Sequence, residues 1–193
     1  ALVFTTTDGG IGTELWRTDG TEAGTALVKD IHPGVGSSIP QHLTRVGSTV
    51  FFQANDGATG AGLELWKTDG TEAGTVLVKD IHPGIGSSAP TNLTALRDTL
   101  FFSASGPTLG FELWKTDGSE DGTVLVKDLC PGEGSGTPIR LTASRNLLFF
   151  VANDCTHGSE LWRTDGTEAG TFMLKDIHPG IGDAYIDWMV DAG

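Results

Sequence analysis

The feature that most constrains this sequence is an internal repeat. The motif Glu-Leu-Trp-Arg/Lys-Thr-Asp-Gly occurs four times, with tryptophans 50, 48 and 48 residues apart at Trp16, Trp66, Trp114 and Trp162. Each copy continues with Gly-Thr, a short apolar run ending in Lys-Asp, and a Pro-Gly loop. A fixed period of this length indicates an array of similar units, each burying its apolar surface against its neighbours.

Each unit is predicted to contain four short strands. In the second full unit they are Asn92–Leu96, Thr99–Ala104, Phe111–Thr116 and Thr123–Lys127, separated by turn-forming residues. No segment shows helical periodicity over ten or more residues, and many of the 28 glycines lie between apolar runs, as turn residues do. The sequence therefore predicts an all-β protein.

Two strands predict how the units are arranged. The runs Thr-Leu-Phe-Phe and Leu-Leu-Phe-Phe are apolar on both faces, so their sheets need cover on both sides, as the blades of a β-propeller have. The chain starts with the apolar strand Leu2-Val3-Phe4, and the Leu-Thr strand that precedes this strand in the other units is missing from the first unit. Near the C-terminus, Tyr185–Val190 occupies the repeat position of a Leu-Thr strand. We expect one four-bladed β-propeller over residues 1–193, with repeats at about 1–40, 41–90, 91–138 and 139–193 and with 185–190 completing the first blade.

The repeat leaves other architectures open. Two chains could share one larger ring, or the chain could be part of a longer array. Parallel β-helices and flat solenoids fit less well, because their repeats are usually shorter and lack tight antiparallel hairpins.

The segment Glu64–Thr75, with Val78–Ile81 behind it, resembles the ELWxTDGTxxGT repeats of bacterial secreted and surface proteins. All four units carry this signature, so the resemblance covers essentially the whole chain. It implies a β-propeller-like fold and an extracellular setting, and it implies no particular activity or functional residue.

Charge limits the partners. The net charge of −13 makes nucleic acid an unfavourable partner, because a phosphate backbone would be repelled. No apolar run approaches the roughly 18 residues of a membrane span. The start at Ala1 fits a processed secreted chain as well as a trimmed one.

Carboxylates recur in the Thr-Asp-Gly-Thr-Glu-Ala-Gly-Thr loops at 18–25, 68–75 and 164–171, with Ser119-Glu120-Asp121 varying the third copy. Their oxygens suit Ca²⁺, which is the one candidate cofactor. The loops lack the dense carboxylates of known calcium loops, however, so we expect hairpin turns in which Asp accepts backbone hydrogen bonds and Gly has a positive φ.

The four repeat tryptophans could stack on sugar rings, but we expect them mainly to pack between blades. Trp188 breaks the pattern, and a plug at the axis is one interpretation of it.

One repeat position holds His32, His82, Cys130 and His178 in the four units. Three histidines and one cysteine suggest a zinc site by composition only. Ring-related positions lie too far apart for one ion, so these residues are predicted to shape the Pro-Gly turns.

Cys130 and Cys155 lie in loops that should emerge on the same face of adjacent blades. A disulfide between them and a pair of free thiols are the two alternatives.

Recognisable catalytic motifs are missing. The sequence has no G-x-S-x-G elbow, H-E-x-x-H helix or P-loop, and Cys155 near His157 lacks a nucleophile context, so we predict no enzyme.

The loops that vary between repeats are Thr7–Thr13, Asn55–Leu63, Ser105–Gly110 and Asn153–Ser159. They should share a face with the Pro-Gly loops, and the candidate binding residues there are Asp8, Asn55, Asp56, Asn153, Asp154 and His157.

Three functions follow as hypotheses. The first is a non-enzymatic extracellular interaction module, lectin-like or binding a protein on a cell surface. The second is a self-associating structural subunit of a surface layer or fibre. The third is a carrier of a metal or other ligand on the axis.

Overall fold

The computed structural model describes residues 1–57 and 60–193, so two residues of the predicted variable loop Asn55–Leu63 lie outside the described residues. The described residues contain no α-helix, and none of their segments is a helix long and apolar enough to cross a bilayer. Their strands are β1 (Leu2–Thr7), β2 (Thr13–Thr18), β3 (Ala26–Lys29), β4 (Gln41–Val46), β5 (Thr49–Asn55), β6 (Leu63–Thr68), β7 (Val76–Lys79), β8 (Thr91–Leu96), β9 (Thr99–Gly106), β10 (Leu109–Thr116), β11 (Val124–Lys127), β12 (Ile139–Ser144), β13 (Leu147–Asn153), β14 (Ser159–Thr164) and β15 (Phe172–Lys175).

The strands form antiparallel sheets in chain order. Sheet I contains β1–β3, sheet II β4–β7, sheet III β8–β11 and sheet IV β12–β15. The register repeats as well, since the motif tryptophan always lies opposite a Phe, as in Phe52↔Trp66 and Phe150↔Trp162. The predicted all-β fold built from four-stranded repeats is thus confirmed for sheets II, III and IV.

The chain divides into two compact units, Ala1–Pro90 and Thr91–Gly193, each holding two sheets. In the first unit Leu15, Val28 and Ile31 of sheet I and the loop that follows it share one buried cluster with Phe52, Ala54 and Trp66 of sheet II. The second unit uses the same six repeat positions, namely Leu113, Val126, Leu129, Phe150, Ala152 and Trp162. The prediction of a single domain over 1–193 stays a prediction.

Cations tie neighbouring sheets together within each unit. In the first unit Arg17 Nη1 donates to the carbonyl of Gly70 at 3.0 Å, and Lys29 Nζ to that of Thr75 at 2.9 Å. In the second, Lys115 Nζ donates to Gly166 and Lys127 Nζ to Thr171, both at 2.8 Å. In both units, therefore, the cations at two equivalent repeat positions of one sheet donate to carbonyls in the equivalent turn of the neighbouring sheet.

The structure does not show the predicted shared blade. Sheet I has three strands, and residues 185–190 carry no strand. Leu2 is 63% exposed and Trp188 91% exposed. Sheet I is thus one strand short of sheets II, III and IV, and closure of the ring stays a prediction.

Candidate functional site

The candidate site is the loop end of each single sheet. We define it as the hairpin loop of that sheet, at 8–12, 56–57 with 60–62, 107–108 or 154–158, together with its Pro-Gly loop, at 30–40, 80–90, 128–138 or 176–184. In each sheet the Pro-Gly loop is bonded to the strand that follows the hairpin loop. Thr13 N donates to Ser37 Oγ at 2.9 Å, and Ser159 N donates to Asp183 Oδ1 at 2.7 Å. The two loop sets thus share one end of each sheet.

A buried glutamate fixes each Pro-Gly loop. Glu14, the first residue of its Glu-Leu-Trp motif, accepts hydrogen bonds from Ile31 N at 3.0 Å, Ser38 N at 2.8 Å and Ser38 Oγ at 2.6 Å. Four such side chains are fully buried: Glu14, Glu64, Glu112 and Glu160. A buried carboxylate is tolerated only with several donors, and here the donors are loop amides that would otherwise lack partners.

The donors differ between repeats. Ser88 donates both its amide and its hydroxyl to Glu64, whereas Gly136 at the same position offers Glu112 only its amide, at 2.7 Å. Burial raises the pKa of Glu64, opposed by the hydrogen bonds from Ser88. Burial raises the pKa of Glu112 to about 7, opposed by the amides of Leu129 and Gly136.

A disulfide joins the loops of adjacent sheets in the second unit. Cys130, in the Pro-Gly loop of sheet III, is bonded to Cys155 in the hairpin loop of sheet IV, with a Cα separation of 5.3 Å. In the first unit the same positions hold His32 and Gly57, and the His32 ring lies directly over Gly57. Cys155 has a φ of 64° where Gly57 has 72°, so one backbone conformation serves a covalent and a non-covalent contact.

The predicted binding residues mostly stabilise their own loops. Asp8 Oδ1 accepts from Gly10 N and Ile11 N at 2.8 and 2.9 Å. Asn55 and Asp56 accept from Gly57 N and Ala61 N, and Asn153 accepts from Cys155 N. These contacts place the residues at the loop end as predicted, while their ligand-binding role stays a prediction.

The side chains of Asp154 and His157 are hydrogen-bonded to each other. Asp154 Oδ2 lies 2.7 Å from His157 Nδ1, and Asp154 Oδ1 accepts from the amides of Thr156 and His157. The hydrogen bond that His157 Nδ1 donates to Asp154 raises the pKa of His157. Burial raises the pKa of Asp154, but the bonds from His157 and Thr156 outweigh burial and leave it lowered.

The Thr-Asp-Gly-Thr loops are hairpin turns. Asp19 Oδ1 accepts from Thr21 Oγ1 at 2.7 Å and Thr21 N at 2.9 Å, which lowers the pKa of Asp19. Gly20 has a φ of 94°. The described residues contain no group of three or more His, Cys, Asp or Glu side chains placed to hold a metal ion, so calcium stays a prediction without a located site.

The histidines that suggested zinc belong to separate loops. His32 Nδ1 lies 3.2 Å from Ser37 O, and His178 Nδ1 lies 2.9 Å from Asp183 O, each inside its own Pro-Gly loop. Cys130 is oxidised. These contacts agree with the predicted turn-shaping role.

The repeat tryptophans are packing residues to different degrees. Trp66 and Trp162 are buried, at 7% and 5% exposure, while Trp16 and Trp114 are half-buried. Trp162 stacks on Phe150 at 6.3 Å between ring centroids. Trp188 is 91% exposed, and the axial plug stays a prediction.

The sequence interpretation missed the glutamates. The motif carries other charged residues close to each glutamate, so from sequence Glu14 would be taken for a solvent-exposed side chain. One signal was available: strand alternation places Glu14 on the same face as Trp16, and no repeat replaces it with another residue.

No family model and no curated protein matches the chain. Among solved structures it is similar to puromycin hydrolase, with 15% identity over 95% of this chain and 28% of that one and a TM-score of 0.59. TolB from Acinetobacter baumannii matches with 9% identity over 88% of this chain and 38% of that one, TM-score 0.52. Prolyl oligopeptidase B from Galerina marginata matches with 16% identity over 89% and 24%, TM-score 0.50.

These similarities show the fold alone. The chain spans only about a quarter to two fifths of each of these proteins. Together with the four antiparallel sheets, they support a propeller-like architecture.

Replacing Glu112 by Gln should change how stability depends on pH. The raised pKa means that the ionised form is disfavoured in the folded state, so Glu112 lowers stability as pH rises from 4.5 through about 7. We expect the melting temperature of the wild type relative to E112Q to fall across this interval. The exposed E120Q is the matched control, and a wild-type to E112Q difference that is constant with pH would contradict the assignment.

Removing the disulfide in C130S/C155S should cost about 3.5 kcal/mol of unfolding free energy for its 25-residue separation. The double variant C130H/C155G, which copies His32 and Gly57, should recover part of the loss. Denaturant titration without reductant measures both variants. Equal stability of C130S/C155S and wild type would show that the crosslink does not hold these loops.

Proposed function

We propose that the chain is a non-enzymatic interaction module of an extracellular protein and that it binds its partner through the loop end. The observation that carries this proposal is the contrast between fixed and variable parts of that end. Buried glutamates hold the Pro-Gly loops in all four repeats, while the hairpin loops beside them differ in length and sequence. Rigid support below variable loops is the arrangement that binding scaffolds use.

An extracellular location is supported by the disulfide. Disulfides persist in oxidising compartments and are rare in a reducing cytosol. Cys130 and Cys155 join two loops across adjacent sheets, so this bond stabilises the candidate binding surface itself.

A neutral glycan is the ligand class that we propose. The net charge of −13 disfavours anionic ligands, and the exposed residues at the hairpin tips, such as Thr108 and Thr156, are small and polar. Hydroxyl and amide groups at such tips can form hydrogen bonds with sugar hydroxyls. A protein partner without strong negative charge is the alternative within the same function.

The non-enzymatic part of the proposal rests on the chemistry present. Both cysteines are oxidised, so neither supplies a thiolate nucleophile. One similar structure is named a hydrolase and another an oligopeptidase, but identities of 15% and 16% over about a quarter of their chains carry no activity to this one.

A structural subunit is the second candidate. It is favoured by a different observation, the uncovered outer edge of β1 together with exposed apolar residues on sheet IV.

Screening the chain against immobilised neutral and anionic glycans tests the first proposal. We expect binding to a neutral glycan and at least tenfold weaker binding after Pro107-Thr108 is replaced by Asn-Gly, a pair that keeps a two-residue hairpin. The control is E72A, in a turn at the opposite end of the sheets. If no neutral glycan binds, the proposed ligand class is wrong. If the loop variant and E72A weaken binding equally, the loop end is not the binding surface.

A further inference from the structure

Within each unit two different surfaces meet. We call the surface with Leu15, Val28 and Ile31, and its equivalents in other repeats, the leading face. We call the surface with Phe52, Ala54 and Trp66, and its equivalents, the receiving face. The leading face of sheet I packs on the receiving face of sheet II, and that of sheet III on sheet IV.

Sheet IV leaves its leading face uncovered. Leu174 and Ile177 are 42% and 48% exposed, whereas their equivalents in sheet III, Val126 and Leu129, are 5% and 3% exposed. A groove of about 680 Å³ lies on this sheet, and its lining includes Phe149, Leu161, Trp188 and Val190. Exposed apolar surface at these positions needs a partner.

Sheet I leaves its receiving face open. Phe4 and Trp16 are half-buried, while the equivalent Phe52 and Trp66 of sheet II are 0% and 7% exposed. The two open surfaces are thus of opposite kinds, and they are the kinds that pack together inside each unit.

The inter-sheet cations repeat this complementarity. Arg163 and Lys175 of sheet IV correspond to Lys115 and Lys127, which bind turn carbonyls of the next sheet. Within the described part of the chain, Arg163 instead lies over the Phe172 ring at 4.5 Å, its Nε is buried without a partner, and Lys175 is exposed. By repeat position their acceptors would be the carbonyls of Gly20 and Thr25 on sheet I.

The C-terminal segment 185–192 continues the repeat as the first strand of a further sheet. Arg140 donates to the carbonyl of Asp187 and, at 3.2 Å, to its carboxylate, and Ser144 Oγ lies 3.1 Å from Asp191 Oδ1. Both pairs are 47 residues apart, as is the bond from Thr94 on β8 to Leu141 on β12. This first strand is what sheet I lacks.

We propose that sheet IV of one copy docks on sheet I of a second copy, with segment 185–192 pairing with β1 as its fourth strand. Sheet IV of each copy would supply the leading face and sheet I the receiving face, so two copies can supply both surfaces to each other. A second copy is the occupant that we propose because the two surfaces are complementary and Leu2, Leu174 and Trp188 are exposed to a partner.

The repeat also gives the register of the new strand pair. Thr44, Thr94 and Thr142 lie opposite Phe51, Phe101 and Phe149. The equivalent positions are Val190 and Val3, so these two residues should face each other across the interface. Directly opposed residues have Cα atoms about 4.5–5.5 Å apart, which is within disulfide range.

Mixing two variants that each add one cysteine to the disulfide-bonded chain, V3C and V190C, tests this pairing between copies. We expect a covalent heterodimer on a non-reducing gel after mild oxidation. A mixture of V3C and I181C is the control, because Ile181 lies in an exposed Pro-Gly loop. No crosslink above this control would overturn the proposed strand pairing.

Light scattering after size exclusion tests the assembly itself. We expect twice the chain mass of 20.2 kDa for the wild type and the chain mass after removal of residues 185–193. K175A should weaken the dimer about tenfold, whereas K127A, whose ammonium group is used within one chain, should not. Three results would show that a second copy does not dock in this way. They are a wild-type monomer, open-ended larger assemblies, and a V3C/V190C double variant that crosslinks only within one chain.

Discussion

The buried glutamate of each repeat is the interaction on which the loop end depends. Its carboxylate takes hydrogen bonds from amides of the Pro-Gly loop, as Glu14 does from Ile31 and Ser38. Without such an acceptor these amides would be buried unpaired, and without the amides the carboxylate would be a buried charge with no compensation. Loop path and glutamate burial therefore stabilise each other, and they do so in every repeat.

This mutual dependence separates the parts of the repeat that must stay constant from those that can vary. The Pro-Gly loop keeps its path through the glutamate, so the neighbouring hairpin loop can change length and chemistry. The change from His32 and Gly57 to Cys130 and Cys155 illustrates this freedom: a ring contact becomes a disulfide on an unchanged backbone conformation. Function at this end of the sheets would be encoded in the hairpin loops and its support in the motif.

Much of the fold could be predicted because strands and turns are local. The four strands of the second full repeat, the Asp and Gly roles in the turn at 18–25 and the closeness of Cys130 to Cys155 follow from spacing and alternation. The role of Glu14 could not be predicted, because its partners lie 17 and 24 residues away in a loop without regular structure. Closure by 185–190 stays a prediction for a related reason: a repeat pattern specifies which strand a sheet needs but not which chain supplies it. Nor does sequence show that Asp8 already uses an oxygen for its own loop.

Amide hydrogen exchange tests the central claim most directly. If the carboxylates hold the Pro-Gly loops, the amides of Ile31, Ser38, Leu129 and Gly136 should exchange as slowly as amides in the strands, although none lies in a strand. Protection should fall at the first two residues when Glu14 is replaced by Ala, while Leu129 and Gly136 keep theirs. Exchange of these amides at the rate of open loops in the wild-type protein would contradict the account.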